Sequence, residues 1–291
     1  MVVETYLAPD TLEDLTQSLS TGDATVLAGG TDLMPQTQAG SRSFRPTLVS
    51  LRRVPELGGI CETDGEIQIG ARTTITDILE SGLLRKKAAV LVEAADQFAS
   101  AQVRNMATLG GNICNASPAG DMMIPLLLLD AEVELASWLD GGVARRTMAL
   151  GDFLVAPGRT RIQTTEVLTC VHFLVPRPQT IAVFRKLGTR PALDIAIVSV
   201  GIAGVRDGRC LRQVRVAFGA AAPTPVRGRK TEAALEGRPL DTQGIATVAD
   251  AIGDDVAPIS DVRASAWYRA RVLRRMTERI LHDVSQTDHQ L

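Results

Sequence analysis

Cysteine and histidine are scarce in this chain. The four cysteines, Cys61, Cys114, Cys170 and Cys210, stand far apart among 291 residues. No Cys-x-x-Cys pair occurs, and no histidine is close enough to complete a zinc pattern, so a metal site or an iron–sulfur cluster on this chain is not expected. Two of the three histidines, His282 and His289, lie near the end of the chain, leaving only His172 in its body. A Ser-His-Asp triad or a catalytic zinc site therefore has almost no candidates. There is no Gly-x-x-x-x-Gly-Lys-Ser/Thr loop and no Gly-x-Gly-x-x-Gly opening a helix, which argues against an ATPase and a Rossmann dehydrogenase. Neither charge sign is in excess: 31 basic against 33 acidic residues gives a formal charge of −2, so composition offers no argument for nucleic-acid binding or an anionic membrane surface. No hydrophobic run reaches membrane-spanning length, and no integral membrane segment is expected. The start, Met-Val-Val-Glu-Thr-Tyr, lacks a basic region followed by a long apolar core, which makes a cytoplasmic location the expectation.

Two glycine-rich stretches stand out instead. One is Leu27-Ala28-Gly29-Gly30-Thr31-Asp32-Leu33-Met34-Pro35, and the other runs from Asn105 through Thr108-Leu109-Gly110-Gly111-Asn112 and Asn115-Ala116-Ser117-Pro118 to Asp121. Glycine lets a backbone bend through positive φ and approach a ligand closely, exposing amide N–H groups to phosphate oxygens. Two such turns could grip one pyrophosphate. The hydroxyls and amides of Thr108, Asn112, Asn115 and Ser117 add neutral donors, which suggests a dinucleotide held with little help from basic residues. With so few groups able to do chemistry alone, a bound cofactor has to carry any reactivity, and a flavin suits a protein that only binds, orients and tunes it.

Along the chain, Asp10 with Glu13 resembles a capping box, and Leu12, Leu15 and Leu19 follow at helical spacing. Ala24 to Ala28 reads as a strand, Thr31 or Asp32 as the cap of a helix from Leu33, and Thr47 to Leu51 as a second strand. Ile67-Gln68-Ile69 alternates like a half-buried strand behind the turn Asp64-Gly65. Thr76 is the predicted cap of a helix over 77–80, and a better helix covers Ala88 to Phe98. Periodicity leaves Met122 to Leu129 open between helix and strand, whereas Glu132 to Leu135 reads as an edge-exposed strand and Val167 to Val175 as another. Pro176-Arg177-Pro178 marks a domain boundary. Beyond it, Ile181 to Lys186, Ile195 to Val205 and Val214 to Phe218 predict an antiparallel sheet with a turn at Asp207-Gly208. Helices over 230–235, 243–252 and 261–282 would cover one of its faces. Arginines lie all around the last helix, which predicts a solvated helix or a subunit contact, and the polar tail after Val284 is expected to fray.

Taken together, Ala28-Gly29-Gly30-Thr31-Asp32, Thr108-Leu109-Gly110-Gly111-Asn112, the run from Asn115 to Asp121 and the later Lys186, Arg190 and Asp194 resemble one family over nearly the whole chain: the FAD-binding (medium) subunits of molybdenum hydroxylases, of the xanthine dehydrogenase and aerobic carbon monoxide dehydrogenase types. The resemblance implies an α+β fold, with a two-lobed FAD-binding domain of the vanillyl-alcohol-oxidase type at 1–176 (lobes 1–56 and 57–176). A C-terminal α+β domain at 180–285 would follow, with an antiparallel sheet covered by helices. It implies an FAD between the two lobes, with its pyrophosphate at Leu27–Met34 and Thr108–Asn112. Asn115, Ser117 and Asp121 would contact the remainder, Phe98 and Leu168 would pack near the rings, and Lys186 would stand at the flavin edge, where a cation favours the anionic reduced form and raises the potential. It further implies an electron-transfer role, with the molybdenum cofactor on a large partner subunit, two [2Fe-2S] clusters on a small one, an acceptor such as NAD, a quinone or oxygen, and a dimer of heterotrimers. Carbon monoxide dehydrogenases typically carry His-Ser where this chain has Thr31-Asp32, which leans away from carbon monoxide and predicts a non-covalent FAD. Two other readings stay open at this point: a self-contained flavin oxidase of the vanillyl-alcohol-oxidase-like fold, and a nucleotide-binding or scaffolding subunit without redox chemistry.

Overall fold

Three short parallel strands open the chain. In the computed structural model, which describes residues 3–190 and 193–286, Thr47–Ser50 lies between Thr5–Leu7 and Ala24–Leu27. Helix Leu12–Leu19 crosses over with Leu12, Leu15, Thr16 and Leu19 buried, so spacing at three and four residues made one apolar stripe. Its cap is Thr11, whose hydroxyl accepts from the Asp14 amide at 3.1 Å, one residue later than the Asp10/Glu13 pair the sequence suggests. The amide of Leu12 is satisfied by Glu56 at 3.1 Å.

The first compact unit gathers residues 1–85, 100–116 and 130–175. Its larger sheet is antiparallel, in the order Ile60–Thr63, Glu66–Gly70, Glu166–Leu174, Glu132–Leu139, Gly142–Ala149. Glu132–Leu139 is therefore an inner strand, not an exposed edge. A hairpin through Asp140 and Gly141 adds Gly142–Ala149 outside it, and the new edge carries Arg145 and Arg146, which pair with Glu134 and Glu166. The helix expected to start after Thr76 starts after Thr74, which forms a capping box with Asp77. Thr76 donates instead to the side chain of Asn105 at 2.6 Å. Leu12, Leu15 and Leu19 share one core with Ala24 and Val49 of the parallel sheet and Ala136 and Val167 of the larger one, so these two sheets bury against the same helix.

The second unit gathers residues 86–99, 117–129 and 176–291. Its sheet is antiparallel, with strands Thr180–Leu187, Val198–Asp207, Cys210–Gly219 and Val226–Arg227 in that order, and the predicted turn lies at Gly208 (φ +55°). Val198, Val200 and Ile202 point into a core closed by Leu235 of helix Arg229–Leu235, Ile245 and Val248 of helix Thr242–Ala251, and Leu273, Ile280 and Leu281 of helix Ala266–Gln286. The intervening Gly201 faces the other way, where an added β-carbon would stand 2.7 Å from Ile124. Ile124 belongs to Met123–Leu128, the stretch periodicity left open. It is a helix with all six residues buried, so this sheet is covered on both faces.

The long C-terminal helix begins at Ala266, five residues later than expected, because the carboxylate of Asp261 accepts from the amides of Arg263 (2.8 Å) and Ala264 (3.2 Å) and turns the chain there. One of its arginines is not solvated. Arg269 is 3% exposed, donates to the carbonyls of Ile197 (3.0 Å) and Ala220 (3.2 Å) and pairs with Asp261 at 2.7 Å. The helix runs on to Gln286, and the remainder of the predicted tail lies outside the described residues.

Candidate cofactor site

The two Gly-Gly bends meet within the first unit. Strand Ala24–Leu27 ends in the bend 28–32, in which Gly30 adopts φ +73°. Gly29 lies so close to the backbone of Met106 that a β-carbon there would overlap the Met106 carbonyl oxygen and come within 3.2 Å of the Ala107 α-carbon. Only glycine allows that approach. A second tie joins the helices that leave the bends: Gln36, in Leu33–Gln38, donates to the side-chain oxygen of Asn115, at the end of Leu109–Asn115, at 2.9 Å.

The second bend is held from below by the large sheet. A register shift between Leu168 and Cys170 leaves Thr169 outside the ladder, and its carbonyl takes the Ala71 amide at 2.8 Å. The Ala71 carbonyl in turn takes the Gly110 amide at 2.8 Å, and that of Thr73 takes the Leu109 amide at 3.0 Å. Thr108 caps the helix by accepting from Gly111 at 3.1 Å, and its carbonyl receives Asn112 at 3.0 Å. The four amides of 109–112 are thus spent on the protein, contrary to the expectation that this bend offers them to phosphate. The first bend differs: among the described residues no hydrogen bond uses the amides of Gly29, Gly30, Thr31 or Asp32. Asp32 stands at the cap position of its helix without making a capping bond, and burial pushes its carboxyl up.

Both features fit a polar dinucleotide. Unspent amides in a bend suit phosphate oxygens. The side-chain oxygen of Asn112 is buried without a partner, an acceptor that a sugar hydroxyl would satisfy. Leu168 is 3% exposed, opposite Leu135 in the sheet. Cys114, in the same helix as Asn112, has its thiol pushed up to about 12 by burial, against a smaller pull from Arg42, and so stays a thiol.

Four further sequence candidates, Phe98, Ser117, Asp121 and Lys186, belong to the second unit. Lys186, near the end of strand Thr180–Leu187, is not a solvated strand charge: its ammonium bonds Asp121 at 2.6 Å and the Gln97 carbonyl at 3.1 Å, and the side chains of the pair are 7% and 9% exposed. Asp121 is not a helix cap either, since Met122 holds that position without a side-chain bond. Burial lifts the Asp121 carboxyl to about 6, although Lys186 pulls it down, and its second oxygen is buried without a partner. Ser117 accepts from the Ala119 amide at 3.3 Å, and the neighbouring Pro118 carbonyl takes the Ala220 amide at 2.7 Å, which fastens this turn to the sheet. Phe98 lies just beyond helix Ala89–Asp96 and is only partly buried.

Lys186 also lines a cavity of about 360 Å³ together with Gln97, Thr189, Arg190 and Asp194. Arg190 and Asp194 both find their partners within their own loop. The Asp194 carboxylate accepts from the hydroxyl of Thr189 and the amides of Arg190 and Ile195, which holds it below the usual carboxylate range, while the Arg190 guanidinium donates to the Leu193 carbonyl. Sequence reasoning missed Gln36 and Gln97. One acts through a side chain 79 positions from its partner and the other through its carbonyl, and neither leaves a signature in residue type.

Comparison with known proteins agrees with this reading. Residues 2–178 match the FAD binding domain in molybdopterin dehydrogenase, and residues 182–284 match the CO dehydrogenase flavoprotein C-terminal domain. The chain is 33% identical over 262 residues to the xanthine dehydrogenase FAD-binding subunit of Escherichia coli O157:H7, covering 89% of this chain and 88% of that protein. It is 30% identical over 282 residues to the glyceraldehyde dehydrogenase medium chain of Sulfolobus acidocaldarius, covering 96% and 98%. Among solved structures, carbon monoxide dehydrogenase of Hydrogenophaga pseudoflava superposes with a TM-score of 0.89 at 28% identity, covering 96% of each chain. The α+β architecture, with its C-terminal antiparallel sheet, is that of the medium chains, and the oxidoreductase role is that of these relatives. The chain belongs to the family of FAD-binding subunits of the molybdenum hydroxylases.

Proposed function

We propose that this chain is an electron-transfer subunit: its FAD receives electrons from [2Fe-2S] clusters on a small partner subunit and passes them to an acceptor such as NAD or a quinone. The observation that carries the reading is the contact of Gly29 with the Met106 backbone, which brings the two glycine bends together and leaves the amides of residues 29–32 unspent. The residues assigned to the cofactor are Leu27 to Met34, Thr108 to Asn112, Asn115 and Leu168 in the first unit. Phe98, Ser117, Asp121 and Lys186 in the second are assigned on the motif match alone. When bound, the flavin supplies the capacity to accept and release electrons singly or in pairs. The protein's part is to hold the pyrophosphate on neutral amides and to offer the buried Asn112 oxygen to a sugar hydroxyl.

Relatives named for xanthine, glyceraldehyde and carbon monoxide share this subunit, which supports a substrate site on another polypeptide. The expected assembly therefore includes a molybdenum-cofactor large subunit and the [2Fe-2S] subunit, doubled into a dimer of heterotrimers in the cytoplasm. Among the described residues no helix is long and apolar enough to cross a membrane. Purification of the native complex with metal and flavin analysis tests the assignment. Molybdenum, iron and FAD co-purifying with this chain support it. Full substrate turnover by the isolated chain overturns it and favours the self-contained oxidase.

A further inference from the structure

We propose that residues 259–271 form a docking surface for an acidic, apolar face of another subunit of the assembly. The inference rests on the multi-subunit function proposed above and names the face of this chain that meets a partner. Four of the twelve large apolar side chains exposed among the described residues fall within ten positions: Ile259 (67%), Val262 (fully exposed), Trp267 (68%) and Tyr268 (41%). Single exposed apolar side chains need no explanation, whereas a cluster of them marks a contact.

The fold holds this cluster together within the second unit. The hydroxyl of Ser260 accepts from the Ala266 amide at 2.9 Å, and that of Ser265 from the Tyr268 amide at 3.2 Å, so the loop is fastened to the first turn of helix Ala266–Gln286. Asp261 turns the loop and pairs with Arg269, which is itself buried and bonded to the Ile197 and Ala220 carbonyls. The Arg271 guanidinium lies over the Trp267 ring, 5.4 Å from its centroid, and steadies that side chain. Docking on groups already held loses little conformational freedom. Trp, Tyr and Arg are also the side chains that most often carry the binding energy of a protein contact.

Charge identifies the partner. Among the described residues no carboxylate pairs with Arg271, and Arg263 reaches only Asp261, at 3.6 Å, a carboxylate already engaged by two amides and by Arg269. The arginines farther along the helix differ: Arg274, Arg275 and Arg279 have acids of their own in Asp250, Glu278 and Asp283. A two-fold contact between copies of this chain is self-complementary, so it would set the cations of the patch against the same cations. A face that carries Asp or Glu among apolar side chains satisfies both arginines and covers the ring.

The experiment is gel filtration of the native complex over a dilution series at low and high salt, for the wild type, Val262→Glu and Arg271→Met. Molybdenum, iron and flavin are measured in the fractions that contain this chain. Both substitutions fall on exposed side chains and should leave the chain folded with its flavin. Val262→Glu sets a carboxylate against an acidic face, and is expected to release one or both metals at a concentration about tenfold higher than the wild type does. Arg271→Met is expected to weaken retention and to lessen its dependence on salt. Retention of both metals by both variants at wild-type concentrations overturns the inference. A Val262→Glu complex that dissociates beside an Arg271→Met complex of wild-type salt dependence overturns it too, because the partner face is then not acidic. Light scattering that finds the isolated chain dimeric, and Val262→Glu monomeric, gives the surface to a second copy and likewise sinks it. A wild-type chain that co-purifies with neither metal refutes the function proposed above instead.

Discussion

Gly29 packs against the carbonyl oxygen of Met106, 77 positions along the chain, with no room between them for a methyl group. Gly29→Ala must separate the two backbones. The expected cost is about 1–3 kcal/mol of stability, as for other overpacked sites, together with loss of bound flavin. Denaturant unfolding and the flavin-to-protein ratio check this. An alanine variant with wild-type stability and flavin content would show that the contact does not organise the site.

The bond from Gln36 to Asn115 is the second tie between the bends. Removing either side chain should weaken FAD binding by a similar amount, and a double-mutant cycle should return a coupling of about 1 kcal/mol. The cycle is read from FAD dissociation constants of the two alanine variants and their combination. Additive losses would sink the prediction.

Two carboxylates should titrate with opposite consequences. Glu166 is pushed up by burial, but Arg146 (2.5 and 2.7 Å) and the Gln163 amide (2.7 Å) more than offset this and hold it below its usual value. Its stabilisation is present above the ordinary carboxylate range and is lost as the pH falls through the lowered value, so Glu166→Gln should flatten the acid side of the stability profile. Asp121 is raised from 3.8 to about 6. Its contribution is complete below 3.8 and declines as the pH rises toward 6, so Asp121→Asn should remove a loss of stability in that window. Urea unfolding between acid and neutral pH distinguishes the two slopes.

Arg269 bonds the carbonyls of Ile197 and Ala220 and the carboxylate of Asp261. Arg269→Met leaves those acceptors buried or unpaired, at an expected cost of about 3 kcal/mol. Lysine should not rescue it, because a single ammonium cannot reproduce the guanidinium fork. Thermal unfolding of both variants decides. A lysine variant as stable as the wild type would show that charge, not geometry, is what the site requires.

The first bend, Leu27 to Met34, contains no histidine, cysteine or tyrosine to hold a flavin covalently. Acid precipitation should therefore release the flavin to the supernatant, and yellow colour retained on the pellet would contradict non-covalent binding.

Local signals in the sequence were read correctly where one element satisfies them by itself. The stripe Leu12, Leu15, Leu19 needs only helical spacing, and the turns at Asp64-Gly65 and Gly208 need only residues that tolerate positive φ. Caps were misplaced by one or two residues at Thr11 and Thr74, because several neighbouring residues can each accept an amide and burial of the first apolar side chain decides among them. Met122 to Leu129 was unreadable for a related reason: a segment buried on every side shows no period.

Residue order and type alone settled that the chain carries two glycine bends and few histidines and cysteines, and put strands and helices in nearly their final places. Tertiary structure decided the rest. Only folding placed Gly29 on Met106, spent the amides of the second bend on Ala71, Thr73 and Thr108 while leaving those of the first, and turned Lys186 from a lone cation into half of an ion pair. These outcomes depend on which backbone groups and charges from distant stretches become neighbours, and distance along a chain carries no information about that until the cores of each unit have packed.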